Sequence, residues 1–331
     1  MQQPESARAY FDKQMERLRK QMKKKRIVFP EGEDPRVIAA ASRLCTEELA
    51  IPILMGRPQG QVASCVVVEQ PENNARLPEF ARVLQDRRRA RGITEMEARK
   101  MALNPLVFAG LMVASGEADG FVGGAATTTA DTFRAAHMTI GMRTDIKTAS
   151  GVMIVCTHAA EMGAGGVFAM ADPALMIDPT PSQLADIAIA TAETTRSVIG
   201  VEPVVALLSF STKGSAKHPL AAKVIEARKI VEARRPDLHV DGELQADAAL
   251  VESVGRSKAP GSTVAGRANT LIFPDVGSAN IGVKMVERLG GAVCTGPLLQ
   301  GFQKPANDLS RGCTAEDIYR LAMLTALQAG D

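Results

Sequence analysis

Short apolar runs alternate with amphipathic stretches along most of the chain, and this rhythm predicts repeated strand–helix–strand units. Ile27-Val28-Phe29 runs into the turn Pro30-Glu31-Gly32-Glu33-Asp34-Pro35; an alanine-rich helix then leads to Leu49, and a second strand covers Ile51 to Leu54. That spacing is a βαβ unit, which implies a parallel sheet covered by helices. The same pattern predicts helices over 75–91 and 220–234 and strands at 120–124, 150–156, 167–170, 204–208, 240–243, 271–273 and 292–294. Helix starts are marked by Thr94 with Glu97, by Asn104-Pro105, and by Thr180-Pro181 with Gln183. Each supplies an N-cap oxygen, and two add the reciprocal side chain of a capping box. Near the N-terminus, Phe11, Met15, Leu18 and Met22 form one helical stripe among lysines and arginines, which reads as a docked, solvated helix.

With 331 residues, 46% of them apolar and 23% charged, the chain has the make-up of an ordinary globular protein of about two domains. A boundary falls near residue 150. The net charge of +2 gives no reason to expect a nucleic-acid or membrane partner. No run reaches the roughly 18 apolar residues of a membrane span, and the charged N-terminus lacks the apolar core of a secretion signal, so a cytoplasmic chain is expected. The five cysteines form no C-x-x-C pair and the four histidines have no ligand spacing, which argues against structural zinc and against a disulfide framework.

Candidate chemistry gathers where strands end. Val204 to Leu208 empties into Ser209-Phe210-Ser211-Thr212-Lys213-Gly214-Ser215, which combines hydroxyls, a cationic tip and a glycine that lets backbone approach closely. Such a loop suits a tetrahedral oxyanion, although Ser/Thr/Gly-rich turns also serve simply to cap helices. The segment Lys304 to Asp317 packs Ser310, Arg311 and Asp317 ahead of the last apolar helix, where Thr314 and Asp317 can equally form a capping box. Arg88 lies in a run of arginines and by charge alone reads as solvated surface; Arg134 lies one turn into a helix beyond a strand end, a better place to grip a phosphate. The signatures G-x-x-x-x-G-K-[ST], G-x-G-x-x-G after a strand and G-x-S-x-G are all missing, so nucleotide hydrolysis, dinucleotide redox chemistry and α/β-hydrolase chemistry lack support.

In order and spacing, Phe29-Pro30-Glu31-Gly32, Asn104-Pro105-Leu106, Gly116-Glu117-Ala118-Asp119-Gly120, Thr129-Ala130-Asp131-Thr132, Leu208 to Ala216, Asp241-Gly242-Glu243-Leu244-Gln245, Asn280-Ile281-Gly282 and Asn307-Asp308-Leu309-Ser310-Arg311-Gly312 resemble the phosphate acetyltransferase (phosphotransacetylase) family. The resemblance implies an α/β fold of two three-layer α/β/α domains with mainly parallel sheets, like that of isocitrate and isopropylmalate dehydrogenases. It implies an active site in an interdomain cleft. The first domain is expected at 1–148 plus 297–331, with 149–296 inserted. The implied reaction is reversible acetyl transfer between acetyl phosphate and coenzyme A, releasing inorganic phosphate, by a homodimer with no metal and no tightly bound cofactor. Ser310, Arg311 and Asp317 match the family's catalytic set, Arg88 and Arg134 its coenzyme A arginines, and Ser209, Ser211, Thr212, Lys213, Gly214 and Ser215 its phosphate loop. Three alternatives stay open: a phosphate butyryltransferase with a roomier acyl pocket, a non-catalytic acetyl-CoA-sensing module, and a nucleic-acid binder using the basic residues 8 to 26. Departures at Thr127, at Ala135 and at Ile177 to Thr180 put acyl preference and coenzyme A affinity in question.

The chemistry fits these residues. A thiol with a pKa of about 8.5 must lose its proton to attack, and a carboxylate with a pKa of about 3.9 is a weak base for that task. Asp317 is therefore expected either to be desolvated or to take the proton only as sulfur attacks. Arg311 suits the oxygen that becomes anionic when sulfur adds to the carbonyl.

Overall fold

The computed structural model describes residues 3–330. From the N-terminus the chain forms α1 (Glu5–Lys20), β1 (Arg26–Phe29), α2 (Pro35–Thr46), β2 (Ile51–Met55), β3 (Val67–Glu69), α3 (Leu77–Arg87), α4 (Glu95–Ala102), α5 (Pro105–Ser115), β4 (Gly120–Gly123) and α6 (Thr129–Thr139). It continues through β5 (Ser150–Cys156), β6 (Val167–Ala171), α7 (Pro181–Thr194), β7 (Val204–Leu208), α8 (Pro219–Arg234), β8 (His239–Leu244), α9 (Ala246–Leu250), α10 (Glu252–Lys258), β9 (Thr270–Ile272), α11 (Val276–Arg288) and β10 (Val293–Gln300). The last elements are β11 (Ala306–Asp308) and α12 (Ala315–Gln328).

Two compact units result: a split unit of Lys13–Arg143 with everything from Phe302 on, and an inserted unit of Thr144–Gly301 with the residues up to Asp12. The expected division had kept the whole N-terminal helix with the first domain. Its first half groups instead with the inserted unit, where Ser6 Oγ donates to the Thr157 carbonyl at 2.5 Å and Tyr10 to that of Val198 at 3.3 Å. Of the apolar stripe expected there, Phe11 and Leu18 are buried, but Met22 lies beyond the helix end and is fully exposed.

The split unit holds a five-stranded, all-parallel sheet in the order β11-β4-β1-β2-β3. Its inner strands are covered on both faces, which is why β1 and β4 read as unbroken buried runs. Phe29, Phe80, Phe108 and Phe121 fill its core, with the rings of Phe80 and Phe108 edge-on at 5.1 Å. Helix starts follow the sequence signals: capping boxes at Thr94, Thr180 and Thr314, and Asn104 and Asp34 as N-caps before prolines. Cys45 and Cys65 form a disulfide, against the expectation of none: α2 and the loop before β3 bring their Cα atoms to 6.0 Å, a proximity that sequence spacing does not reveal.

The inserted unit holds a six-stranded sheet in the order β10-β5-β6-β9-β7-β8. Its β6-β9-β7-β8 portion is parallel, while β5 runs antiparallel to both β6 and β10. Val155, Phe168, Met170, Ala206, Leu208, Leu244 and Leu271 pack into one of its cores.

Candidate active site

In the split unit, β11, β4 and β1 are adjacent and parallel, so their carboxyl ends open on one edge of the sheet, where ligands collect in α/β proteins. Three segments leave there: Pro30 to Asp34, Gly124 to Thr128, and Leu309 to Thr314. Glu31 Oε1 accepts Gly124 N–H at 2.9 Å and the Thr127 hydroxyl at 2.7 Å, and Leu309 N–H reaches the Gly123 carbonyl at 2.7 Å. Gly124 sits at φ +100°, and a Cβ there would fall 2.6 Å from the Leu309 carbonyl oxygen, so only glycine lets these segments pass so closely.

On this edge stand Ser310, Arg311 and Asp317, all exposed. Ser310 Oγ accepts Gly312 N–H at 3.3 Å, and its carbonyl accepts Cys313 N–H at 2.9 Å, closing a tight turn. The Arg311 side chain has no hydrogen-bond or ion-pair partner among the described residues, while its carbonyl is held by Arg36 at 2.9 Å. Asp317 completes the capping box of α12: its Oδ2 accepts the N–H and the hydroxyl of Thr314, each at 2.8 Å. Of the two states expected of this carboxyl, the desolvated one is not met, because Asp317 is exposed.

The two arginines expected at coenzyme A also belong to the split unit. Arg88 caps α3 and is half-buried, its Nε buried without a hydrogen-bond partner, rather than the plain surface charge its arginine-rich context suggested. Arg134 projects from α6 and pairs with Asp131 at 2.7 Å, with two thirds of its side chain exposed. Exposed pairs of this kind contribute little, so Arg134 is cheaply recruited by a ligand.

The Ser209–Ser215 loop belongs to the inserted unit, between the carboxyl ends of the paired strands β7 and β8. Asp241 and Glu243, two apart on β8, project beneath it. Glu243 is buried, and its Oε1 accepts the Ser211 hydroxyl at 2.9 Å and Gly214 N–H at 2.7 Å. Asp241 pairs with Lys213 and accepts the Ser262 hydroxyl at 2.5 Å, with Arg228 at 3.6 Å. Burial pushes the Asp241 carboxyl up, but the hydrogen bonds from Lys213, Ser262 and Gly242 together outweigh it and hold the carboxyl below its usual range. Ser211 and Thr212 are buried, Thr212 Oγ1 accepting Gln245 N–H at 2.9 Å; Ser209 is half-buried, and Lys213, Gly214 and Ser215 are exposed. Lys213 at φ +49° and Gly214 at φ +81° turn the loop in the left-handed region.

Four carboxylates and one arginine around these segments carried no role in the sequence reading. Glu31, Asp241, Glu243 and Asp308 lay within the quoted motifs, but nothing in their spacing showed that they would sit beneath turns. Asp308 is buried with Thr129 Oγ1 at 2.5 Å; burial pushes its carboxyl up, the Thr129 and Thr132 hydroxyls oppose this, and Glu31 adds to it. Arg36 carried no signal beyond its place in the first turn after Asp34-Pro35. No cluster of three or more His, Cys, Asp or Glu among the described residues is placed to hold a metal ion, and no helix there is long and apolar enough to cross a membrane.

Residues 11–326 match the model of the family described as phosphate acetyl/butaryl transferase. A phosphate acetyltransferase from Acetivibrio thermocellus is 41% identical over 313 residues, covering 92% of this chain and 94% of the relative. A phosphotransacetylase crystal structure from Streptococcus pyogenes superposes with a TM-score of 0.89 at 42% identity, covering 98% of this chain and 99% of that one. A putative 4-hydroxythreonine-4-phosphate dehydrogenase from Salmonella typhimurium, at 12% identity, TM-score 0.54 and coverage of 92% and 99%, shares the fold alone. The chain belongs to the phosphate acetyl/butyryl transferase family.

Proposed function

We propose that this chain is a phosphate acetyltransferase, an acyltransferase that moves the acetyl group reversibly between acetyl phosphate and coenzyme A, with inorganic phosphate as the other product. Family membership and the phosphate acetyltransferase relatives support the reaction. The single observation that carries the residue roles is the turn Ser310-Arg311-Gly312. Its backbone is held from behind, while the Arg311 guanidinium stands exposed and without a hydrogen-bond or ion-pair partner among the described residues. An unpaired cation on a fixed backbone is what stabilisation of a developing oxyanion requires.

In this reading Asp317 takes the thiol proton as sulfur adds to the acetyl carbonyl, and Arg311 stabilises the oxyanion with Ser310 hydrogen-bonding beside it. Collapse of the tetrahedral adduct breaks the carbon–oxygen bond and expels phosphate. Because Asp317 is exposed, proton loss coincides with attack rather than preceding it. The loop from Ser209 through Ser211, Thr212, Lys213 and Gly214 to Ser215 is assigned to phosphate. The exposed Lys213 and Ser215 side chains make contact, and the buried hydroxyls of Ser211 and Thr212 hold the loop's shape. Arg88, with its unsatisfied Nε, and Arg134 are assigned to coenzyme A phosphates.

The enzyme is read as a cytoplasmic homodimer without a resident cofactor. The dimer is supported by an apolar stripe on α11 and its cap, Ile281, Met285 and Leu289, exposed by 61%, 53% and 74%. Sedimentation of the purified chain is expected to give a dimer.

The deciding experiment measures thioester formation from coenzyme A with acetyl, propionyl and butyryl phosphate at matched concentrations. Acetyl phosphate should give the highest kcat/KM. Equal or better use of butyryl phosphate overturns the substrate assignment, and no thioester from any of them overturns the reaction.

A further inference from the structure

The guanidinium of Arg36 carries five N–H groups in a fixed planar fork, and each has an acceptor. Nε reaches Asp34 Oδ1 at 3.0 Å; Nη2 reaches Asp34 Oδ2 at 2.7 Å and the Ala125 carbonyl at 2.9 Å; Nη1 reaches the carbonyls of Arg311 at 2.9 Å and Cys313 at 2.8 Å. These acceptors lie on the three segments that leave β1, β4 and β11. Asp34 is itself fixed as the N-cap of α2 by accepting Arg36 N–H at 2.8 Å, so the fork is anchored at its root. The ladder between β4 and β11 ends with Leu309, and one residue later the chain leaves the sheet. Beyond that point the Arg36 fork joins the Ser310–Cys313 turn to the segment that opens α6.

We infer that Arg36 is a positioning residue for acyl transfer: by gripping the carbonyls of Arg311 and Cys313 it fixes the turn from which the Arg311 side chain meets the acyl oxygen, and by gripping Ala125 it registers that turn to the helix bearing Arg134. It touches no reacting atom, since its donors are all consumed. The inference rests on the assignment of Ser310 and Arg311 above. Lysine cannot replace it, because an ammonium has three donors radiating from one point and cannot span a carboxylate and three carbonyls.

The test compares the full-length chain with Arg36→Lys and Arg36→Ala. Displacing a catalytic group by an ångström costs on the order of 100-fold, so kcat should fall by about 100-fold in Arg36→Ala and at least about 10-fold in Arg36→Lys. Both KM values should stay within about threefold, because substrate-binding groups are untouched. Millimolar ethylguanidinium should restore part of the Arg36→Ala activity and none in Arg36→Lys, whose ammonium fills the space. A second readout is independent of turnover. Cys313 is 7% exposed, and its maleimide labelling, located by peptide mapping, should accelerate several-fold in both variants once the turn is released.

Wild-type kcat in Arg36→Lys, or a loss confined to the thermal midpoint, overturns the inference. If the unaltered chain forms no acetyl-CoA, the assigned reaction fails on its own account and the labelling decides. An unchanged Cys313 rate in folded Arg36→Lys then refutes the grip, and a faster one supports it. Should Arg36→Ala fail to fold, Arg36→Lys carries both readouts.

Discussion

The turn bearing Arg311 and the loop bearing Lys213 are built on opposite plans. In the first, the backbone is gripped from behind by Arg36 and the Arg311 guanidinium has no hydrogen-bond or ion-pair partner among the described residues. In the second, the side chains themselves are gripped: Lys213 pairs with Asp241, and Ser211 turns its hydroxyl into Glu243. A cation with no internal partner acts at full strength on charge that appears only in the transition state. A cation already neutralised by a carboxylate instead contributes the difference between two partners, which suits holding and releasing a product. On the proposed roles, the first plan is expected to govern turnover, and the second binding together with stability.

The largest effect expected from this contrast is at Arg311. Arg311→Ala should reduce kcat by roughly 100-fold to 1,000-fold, the range for loss of one oxyanion donor. The KM for coenzyme A and the thermal midpoint should barely move, because the side chain has no hydrogen bond or ion pair among the described residues to lose. A rise in coenzyme A KM with kcat retained would place Arg311 in binding instead.

Asp317 separates a cap from a base. In Asp317→Asn the amide oxygen still accepts the Thr314 bonds, so the start of α12 should lose well under about 1 kcal/mol. On the proposed role the group that takes the thiol proton is then gone, and turnover should fall by about 100-fold, at the lower end of general-base contributions. Equal kcat values for the two proteins, measured beside their melting curves, would reduce Asp317 to a capping residue.

These assignments mark how far the sequence could be read. The βαβ rhythm, the N-caps and the three capping boxes follow from local preferences and stand as expected. What escaped was set by pairing across distance. Ala306-Asn307-Asp308 has neither β-branched residues nor alternation, yet it is a strand, because β4 offers an open parallel edge and Asn307 finds Thr325 and Gln328 at 2.8 and 2.9 Å. The antiparallel placement of β5 and β10 is likewise a matter of topology rather than composition. At the candidate site, the residues that point outward were legible as motifs. The supports beneath them, Arg36, Glu31, Asp241 and Glu243, were not, because a buried carboxylate under a loop and an arginine spent on carbonyls look like surface charges in one dimension.

Arg134 tests whether a loosely held cation follows the binding plan. Its partner Asp131 is an exposed neighbour one helical turn away, so little is lost when a phosphate takes its place. Arg134→Ala should raise the KM for coenzyme A by about 10-fold and leave kcat near that of the parent. Dephospho-coenzyme A should bind worse than coenzyme A to the parent chain and nearly as well as coenzyme A to an Arg88→Ala/Arg134→Ala double variant. If the parent does not discriminate between the two, these arginines do not read that phosphate.

The smallest effect, and the one most specific to the Lys213 loop, is a pH dependence of stability. Asp241 is held below its ordinary range in the folded chain despite its burial, by Lys213, Ser262 and Gly242. A carboxyl with a depressed folded pKa contributes stability that is complete above its unfolded value of about 3.9 and is lost as pH falls through the folded value. The stability gap between the parent chain and Asp241→Asn, on the order of 1 kcal/mol, should therefore be flat above about pH 5 and close toward acid. Lys213→Gln removes the first of the hydrogen bonds that lower the carboxyl, so the same gap measured in that background should be smaller at neutral pH and be fully closed at a higher pH. Chemical denaturation of the four proteins, from neutrality down to the acid limit of the fold, reads both. A gap that persists in acid, or one indifferent to Lys213, would mean that Asp241 and Lys213 are neighbours without being coupled, and the contrast between the two loops would then rest on Glu243 alone.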